Sequence, residues 1–481
     1  MKYKQIILCM PPFRGDIPIA PFAGVGYISE YLSANNIKHL VFDMNLGYSK
    51  KDFFDKIREF KPDLIGFFLM TYLYKESYKL INLVKRKYKI TCVAGGPHVS
   101  TFRKEFLREC NADFAIKLEG ENTLMDLING KDPKEILGLI YRDKDEIQEN
   151  QDRPFIRDLN TIPFPKYAKF EINKYKDRVI PIITSRGCPY QCIYCPINVA
   201  VGRQFRMRSA KNVFQEVQYW YNRGYKKIHF QDDNFTLIKK RVIDICRLIQ
   251  RSNMKGLVLN ATGVRADRVD KDVLNEMKKT GFKTIAFGVE GGNDKILKTL
   301  KKGETIKEIE EKIKLACEMG FDVALYFLIG SPGETPKDVE DSFKLALRYP
   351  IVDAFFYSIV PYPKTELYEW IKKNNLWLKP PSKYLNEASA SAIKPFYQTK
   401  ELPKNKRIEL LKKAKKISHK IRKRGIIRRA RERYGSIGII IGNILGSNFA
   451  DKYILQNMLF LRIYTKYLES RAKNLINLTK K

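Results

Sequence analysis

Three cysteines, Cys188, Cys192 and Cys195, fall within eight residues in a C-x3-C-x2-C arrangement. Thiolates spaced this closely suit a soft metal, either zinc or iron–sulfur. A structural zinc site takes a fourth Cys or His nearby, and this loop offers none. The other five cysteines (Cys9, Cys92, Cys110, Cys246 and Cys317) are scattered through apolar segments. A free cysteine in such a place packs as a small hydrophobe. Electron-transfer clusters ordinarily use four cysteines, so a set of three leaves one iron of a [4Fe-4S] cluster open to a ligand. Iron–sulfur ligation is the leading reading of the loop, and zinc is the alternative.

The elements around the loop must hold it at the end of a strand. Apolar runs at 179–184, 227–231, 257–261, 284–289, 323–329 and 354–360 predict six strands, each but the last followed by a helical pattern. Six β/α units are too few to close an eight-unit barrel and suit an open partial (β/α)6 TIM-like barrel. Polar and glycine-rich residues gather just past these strands, at 186–195, 232–235, 290–292 and 330–334. The carboxyl ends of barrel strands are where such folds carry their chemistry.

Ahead of the barrel, strands are expected at 4–9, 39–43, 63–67, 91–94 and 113–116, with helices such as 23–32 and 75–87 between them. Apolar strands without alternation, separated by helices, predict an α/β domain with a doubly wound, Rossmann- or flavodoxin-like parallel sheet. Ligands of such sheets lie beyond the carboxyl ends of the strands. The loops Pro11-Pro12-Phe13-Arg14-Gly15 and Gly95-Gly96-Pro97-His98 stand at two of those ends. The expected organisation is a doubly wound domain at 1–135, a linker at 136–178, a barrel at 179–365 and a basic helical region at 366–481. A hairpin is expected near 137–141 and an extended stretch around Pro163 and Pro165. The last region is read as helices at 404–425 and 426–434, an apolar island at 436–446, and an amphipathic stretch at 450–478.

Composition narrows the setting. Eight cysteines in 481 residues are too few for a disulfide framework, which points to a reduced, cytoplasmic compartment. The apolar start is broken by Pro11 and Pro12, too early for a signal segment, and reads as a first strand. No run of about 18 apolar residues is present, so no spanning helix is expected. The net charge of +36 attracts anionic partners. Residues 401–481 hold 22 Lys/Arg against five Asp/Glu. Three readings of this tail compete: a peripheral contact with an anionic membrane, a nucleic-acid arm, and a helical lid packed on the barrel. Few aromatics interleave with the charges at 404–433, which weighs against nucleic acid.

The segment Thr184-Ser185-Arg186-Gly187-Cys188-Pro189-Tyr190-Gln191-Cys192-Ile193-Tyr194-Cys195 resembles the signature loop of the radical S-adenosylmethionine (SAM) superfamily. Tyr194 stands at the family's aromatic position. The resemblance implies that the open iron chelates SAM, and that reduction cleaves SAM to a 5′-deoxyadenosyl radical. It continues past the loop. Phe230-Gln231-Asp232-Asp233-Asn234-Phe235-Thr236 resembles the second-strand motif that holds the SAM amino group. In Gly288-Val289-Glu290-Gly291-Gly292, the likeness places Glu290 at the ribose or amino end. Leu328-Ile329-Gly330-Ser331-Pro332-Gly333-Glu334-Thr335 resembles the glycine motif beside adenine, which includes Gly330, Pro332 and Gly333. Pro361-Tyr362-Pro363-Lys364-Thr365 resembles the family's closing segment, with Lys364 where a glycine is usual. A purely structural reading makes Asp233 a helix cap and Pro332-Gly333 a turn.

The first domain resembles the cobalamin-binding domain fused ahead of many radical SAM domains. The residues that carry the likeness are Pro11, Pro12, Phe13, Gly24, Asp43, Gly95, Gly96, Pro97, His98, Glu119 and Gly120. The D-x-H-x-x-G element that supplies a lower cobalt ligand elsewhere is absent, since the loop after the first strand has no histidine. A cobalamin without a histidine ligand is therefore expected, with His98 a candidate contact. Together these likenesses imply a cobalamin-dependent radical SAM enzyme. Methyl transfer to an unactivated carbon of a small-molecule or lipid substrate leads, with flavodoxin or ferredoxin as reductant. Oxidative cyclisation or ring rearrangement uses the same parts. An RNA-modifying methylthiotransferase would need a second cysteine cluster, and Cys9, Cys92 and Cys110 lie far apart in sequence. A non-catalytic iron–sulfur or cobalamin sensor would leave the SAM motifs without purpose.

Overall fold

A computed structural model describes residues 1–12, 18–388 and 394–446. Phe13, Arg14, Gly15 and the amphipathic stretch at 450–478 lie outside the described residues. The first sheet is built from β1 (Gln5–Met10), β2 (Lys38–Asp43), β3 (Leu64–Phe68), β4 (Thr91–Gly95) and β5 (Phe114–Ile116), in the spatial order β2-β1-β3-β4-β5 and all parallel. Ile6 faces His39 on one side and Leu64 on the other. Side chains of β1 alternate between two cores: Ile6, Leu8 and Met10 enter one, Ile7 and Cys9 the other. Helices cover both faces, so both faces are apolar and no alternation is visible along the strand. The chain order reverses at β1, and the switch point lies between β1 and β3.

The hairpin expected in the linker belongs to this sheet. Strands β6 (Leu139–Asp143) and β7 (Glu146–Glu149) add to β5 as an antiparallel edge, with Ala115 opposite Ile140. Leu139, Ile140 and Tyr141 are buried, and that burial draws the hairpin onto the sheet. The segment that follows and the helix Ala23–Ala34 tie the sheet to the barrel. The Tyr175 hydroxyl donates to Asp43 at 2.8 Å, and the Tyr27 hydroxyl donates to the Ile183 carbonyl at 2.9 Å.

The second sheet has six parallel strands in simple sequential order: Val179–Ile182, Lys227–Phe230, Val258–Val264, Phe282–Glu290, Asp322–Ile329 and Asp353–Ser358. The first and sixth do not pair, so the barrel is open.

The basic region differs from expectation at Gly425. A single 31-residue helix, Lys404–Tyr434, runs through it. The glycine is there for close packing: a Cβ at Gly425 would stand 2.7 Å from the Val352 carbonyl oxygen. The helix lies along the sixth strand, and Arg422, Arg428 and Lys413 pair with Asp353, Asp322 and Glu340 of the barrel. The apolar island forms a second helix, Ile437–Leu445, that folds back on the first. A Cβ at Gly442 would stand 2.6 Å from the Ile427 Cα. This seating turns Ile440 and Ile444 outward, 64% and 46% exposed. No described helix is long and apolar enough to cross a membrane.

Candidate functional site

The cysteine loop leaves the first barrel strand through a two-residue ribbon, Ser185–Arg186 paired with Arg206–Met207. Gly187 turns there at φ +84°, and any Cβ would collide with the Gln204 carbonyl. The loop is then pinned by its backbone. Ile193 N–H donates to the Leu300 carbonyl at 3.2 Å, and its carbonyl accepts from Leu367 N–H at 3.0 Å. Cys188, Cys192 and Cys195 are free thiols of intermediate exposure. Burial pushes all three thiols up, that of Cys195 to about 12. Such thiols ionise when a metal takes the place of the proton. Among the described residues no group of three His, Cys, Asp or Glu closes on a single ion. Zinc needs thiolates drawn to about 2.3 Å, whereas a cluster interposes iron and sulfide between them. The donor set fits the cluster.

Four residues past the strand ends surround the loop in different ways. Asp232 is occupied by the chain itself. Its carboxylate accepts from Thr184 N–H at 2.7 Å, Ser185 N–H at 2.5 Å and both hydroxyls, at 2.9 and 2.7 Å. Arg241 in turn donates to Thr184 Oγ1 at 2.8 Å. Asp232, expected at SAM, fastens the start of the cysteine loop to the second strand in this structure. Asp233 opens onto a cavity, and burial, helped by the charge of Asp232, pushes its carboxyl up to about 6. No helix begins at Asp233, since the next one starts at Lys239, so a capping role is set aside. Asn234 is fully buried with neither amide atom hydrogen-bonded, as is the Thr236 hydroxyl. Unpaired buried groups of this kind mark a place for a polar partner.

Glu290 sits in a left-handed conformation at φ 68° and accepts from Lys302 Nζ at 3.3 Å. Burial, and then the charge of the same carboxylate, push the Tyr194 hydroxyl up. Lys302 also faces Glu304 at 3.6 Å, and Arg265 reaches Glu304 at 3.3 Å. The Arg265 guanidinium stacks 3.6 Å over the Tyr190 ring, inside the cysteine loop. Arg265, Lys302 and Glu304 were not singled out from sequence. Arg265 follows directly on the third strand, where the barrel rule could have found it. Together these groups offer acceptors for an ammonium and donors for a carboxylate beside the three cysteines.

The glycine turn after the fifth strand is differently placed. Glu334 accepts from Gly330 N–H at 2.5 Å and Ser331 N–H at 3.1 Å, and burial pushes its carboxyl up to about 7. Arg407 of the basic helix, 1% exposed, donates to the Ile329 carbonyl at 2.7 Å, Ser358 Oγ at 3.0 Å and the Tyr397 carbonyl at 3.2 Å. Its guanidinium covers Gly330, where any Cβ would collide with it. Gly330, Pro332 and Gly333 therefore form a turn capped from the C-terminal region, and none of them lines the cavity described next.

A cavity of about 420 Å³ lies between the carboxyl edge of the first sheet and the barrel mouth. Its sheet side includes Leu8, Gly24, Gly66, Gly95, Gly96, Pro97, Glu119 and Gly120; its barrel side includes Ser185, Arg186, Gln231 and Asp233. The apolar floor with glycines at the rim fits a broad, flat cofactor. The turn at this rim requires Gly96: at φ +108°, a Cβ would stand 2.8 Å from the Leu69 carbonyl oxygen. Two of the residues expected at cobalamin stand off this cavity. Asp43 accepts from Asn45 N–H at 2.9 Å and from Tyr175, away from the cavity. His98 is fully buried, its ring stacked 4.7 Å from Tyr74 and bonded to the Tyr78 hydroxyl at 2.7 Å. Burial pushes that imidazole down to about 3, and it does not line the cavity. Pro11 and Pro12 also lie off the walls, the Pro11 carbonyl accepting from Asn45 at 3.2 Å.

Ion pairs lock the two walls together. Arg186 donates to Glu119 at 2.8 Å and to Glu121 at 2.7 Å, and Arg206 reaches Glu119 at 2.7 Å. Burial pushes the Glu119 carboxyl up, but the guanidiniums outweigh it and hold the group below the usual carboxylate range.

Comparison with known proteins agrees with this geometry. The family model of the radical SAM superfamily matches residues 182–346, and that of the B12 binding domain matches residues 19–128. The chain is 31% identical over 453 residues to an uncharacterized methyltransferase of Pyrococcus horikoshii, covering 91% of this chain and 97% of that one. The fold matches the radical SAM methyltransferase TsrM from Kitasatospora setae, solved with cobalamin and a [4Fe-4S] cluster. The TM-score is 0.67 at 19% identity, over 77% of this chain and 75% of that one. It also matches the cobalamin-dependent SAM radical enzyme OxsB, solved with aqua-cobalamin and SAM. There the TM-score is 0.71 at 17% identity, over 98% of this chain and 75% of the other.

Proposed function

The chain belongs to the cobalamin-dependent radical SAM methyltransferase family, and we propose that within it the enzyme methylates an unactivated carbon of a small molecule. The observation that carries this reading is the cavity whose one wall is the glycine rim of the first sheet and whose other wall leads into the cysteine loop. When bound, the cluster, SAM and cobalamin supply one-electron cleavage and methyl carriage, chemistry that side chains lack. Cys188, Cys192 and Cys195 hold the iron. Asp233, Glu290 and Lys302 orient the amino-acid end of SAM, and Asn234 meets its partner there. Gly24, Gly95, Gly96 and Gly120 let the corrin lie against backbone. The pairs of Arg186 with Glu119 and Glu121 fix the distance between the two reacting centres. Fixed distance and exclusion of water are the protein's contribution to such a reaction. A flavodoxin or ferredoxin supplies electrons.

The test is anaerobic reconstitution. The holoprotein should show the visible spectrum of bound hydroxocobalamin and, with dithionite and SAM, release 5′-deoxyadenosine. Absence of SAM cleavage in a protein that holds its iron defeats the proposal.

A second reading concerns the surface. Ile440 and Ile444 point outward from a helix whose partner helix carries Arg428, Arg429, Arg431 and Arg433. Apolar side chains beside clustered cations suit the face of an anionic bilayer. We propose that this corner rests peripherally on such a membrane and that the substrate has an apolar body.

A further inference from the structure

A second cavity, of about 600 Å³, adjoins the first. Leu118 lines both. The short helix Ile197–Ala200, just after Cys195, gives Asn198 and Val199 to the second cavity and Ala200 to the first. The outer space is therefore one helix away from both the cysteine loop and the cobalamin-side cavity. Its wall has an apolar part, Pro154, Phe155 and Val199, a cationic part, and one carboxylate, Asp152, which is engaged by Arg103 and Lys117.

The cations differ in their engagements. Arg103 is held by Glu149 and Asp152, both at 3.0 Å, and Arg153 by Asp126. Arg203 and Lys364 are exposed and have no carboxylate partner among the described residues. Lys364 sits at φ 65°, in the left-handed region. Lys61 and Lys89 do the same at helix ends, so the conformation alone says nothing. What sets Lys364 apart is its place on the cavity wall. Partial burial of the side chain against the walls, and then the Arg103 guanidinium, outweigh the more distant carboxylates of Glu105, Glu149 and Asp152 and hold its amine below the ordinary lysine range. Such an amine gains when an anion arrives.

We propose that the outer cavity is the substrate site and takes a molecule with an apolar body and an anionic group, held by Lys364 and Arg203. Phe155 and Val199 receive the body, and the cations receive a carboxylate or a phosphate. The inference rests on the proposed methyl transfer only in calling the occupant a substrate.

The test uses anaerobic holoenzyme with iron and cobalamin content measured on each sample. Phenyl phosphate and phenylacetate are the anionic probes and benzyl alcohol is the neutral control, titrated calorimetrically. At least one anion should bind more tightly than the alcohol and loosen with added salt. Lys364→Gln and Arg203→Gln should each weaken it about tenfold, roughly 1.4 kcal/mol. Lys364→Arg should restore it, and the preferred anion names the headgroup. Lys364→Gly keeps a relaxed backbone and should behave like Lys364→Gln. Equal binding of anion and alcohol, no anion binding, or indifference to the Lys364 and Arg203 variants in cofactor-loaded protein overturns the inference. Anion binding without SAM cleavage instead retains the site and defeats the methyl-transfer reading.

Discussion

Arg186, two residues before Cys188, donates from Nη1 to Glu119 at 2.8 Å, and so joins the barrel to the carboxyl edge of the first sheet. Its other nitrogen reaches Glu121 at 2.7 Å. Each partner is largely buried, with Arg186 14% and Glu121 4% exposed in the side chain. Removing one member of such a set strands the others, at a cost of about 3–5 kcal/mol. Arg186→Met is expected to lose that much in urea denaturation and to release cobalamin more readily. Adding Glu121→Met should recover part of the loss, because fewer carboxylates are then left unpaired. A single variant as stable as the parent means the strut does not hold the halves together.

The cysteine loop and Asp232 make a contrasting pair of tests. Cys192→Ala should cut reconstituted iron from about four per chain to near none and abolish SAM cleavage. Asp232→Asn retains all three cysteines and an acceptor for the N–H groups of Thr184 and Ser185, but it turns an amide NH2 toward Thr184 Oγ1, which already accepts from Arg241, and removes the charge beside that guanidinium. It should lower stability by about 2–4 kcal/mol and leave the cluster partly occupied. If Asp232 touched SAM instead, the variant would keep its iron and its stability and lose SAM affinity alone. Iron assay and denaturation on one sample separate the two outcomes.

Local pattern made the strands legible, because each of the six barrel strands is a short apolar run ending in polar or glycine residues. Partners distant in sequence were not. Glu119 and Arg186 are 67 residues apart, and Asp232 meets Thr184 across 48. Each of these carboxylates reads equally well as a ligand-binding group until the fold brings the partner. Gly425 misled for a related reason. A glycine in a helical pattern reads as a stop, and only the sixth strand's neighbour, Val352, shows that it is a contact. The hairpin at Leu139–Glu149 joined the sheet through pairing with β5, which periodicity cannot display.

The outward isoleucines supply a membrane test that leaves the barrel intact. Truncating at Pro403 would also remove Arg407, which is planted beneath the sixth strand against Ser358. Ile440→Asp with Ile444→Asp changes only exposed positions. Wild-type protein should float with vesicles containing phosphatidylserine or phosphatidylglycerol at low salt and detach as salt rises. The double variant should lose most of that binding with an unchanged melting temperature. Wild-type protein that stays at the bottom of the gradient reduces the helix pair to a lid on the barrel.

His98 distinguishes a packing residue from a cobalt ligand. Its ring lies between Tyr74 and Phe102, with centroids 4.7 and 4.4 Å away, and bonds the Tyr78 hydroxyl. Burial pushes the imidazole from 6.5 down to about 3. Below pH 6.5 the unfolded chain therefore takes up a proton that the folded chain refuses. The stability His98 contributes is whole above pH 6.5 and drains as pH falls toward 3, at about 1.4 kcal/mol per pH unit. His98→Gln keeps a partner for Tyr78 and removes the titration, so stability measured between pH 7 and 5 should fall less steeply than in the parent. Its bound cobalamin should keep the parent's visible spectrum, because the ring does not line the cofactor cavity. A shifted cobalamin spectrum in His98→Gln, with the acid dependence unchanged, would return His98 to the cobalt.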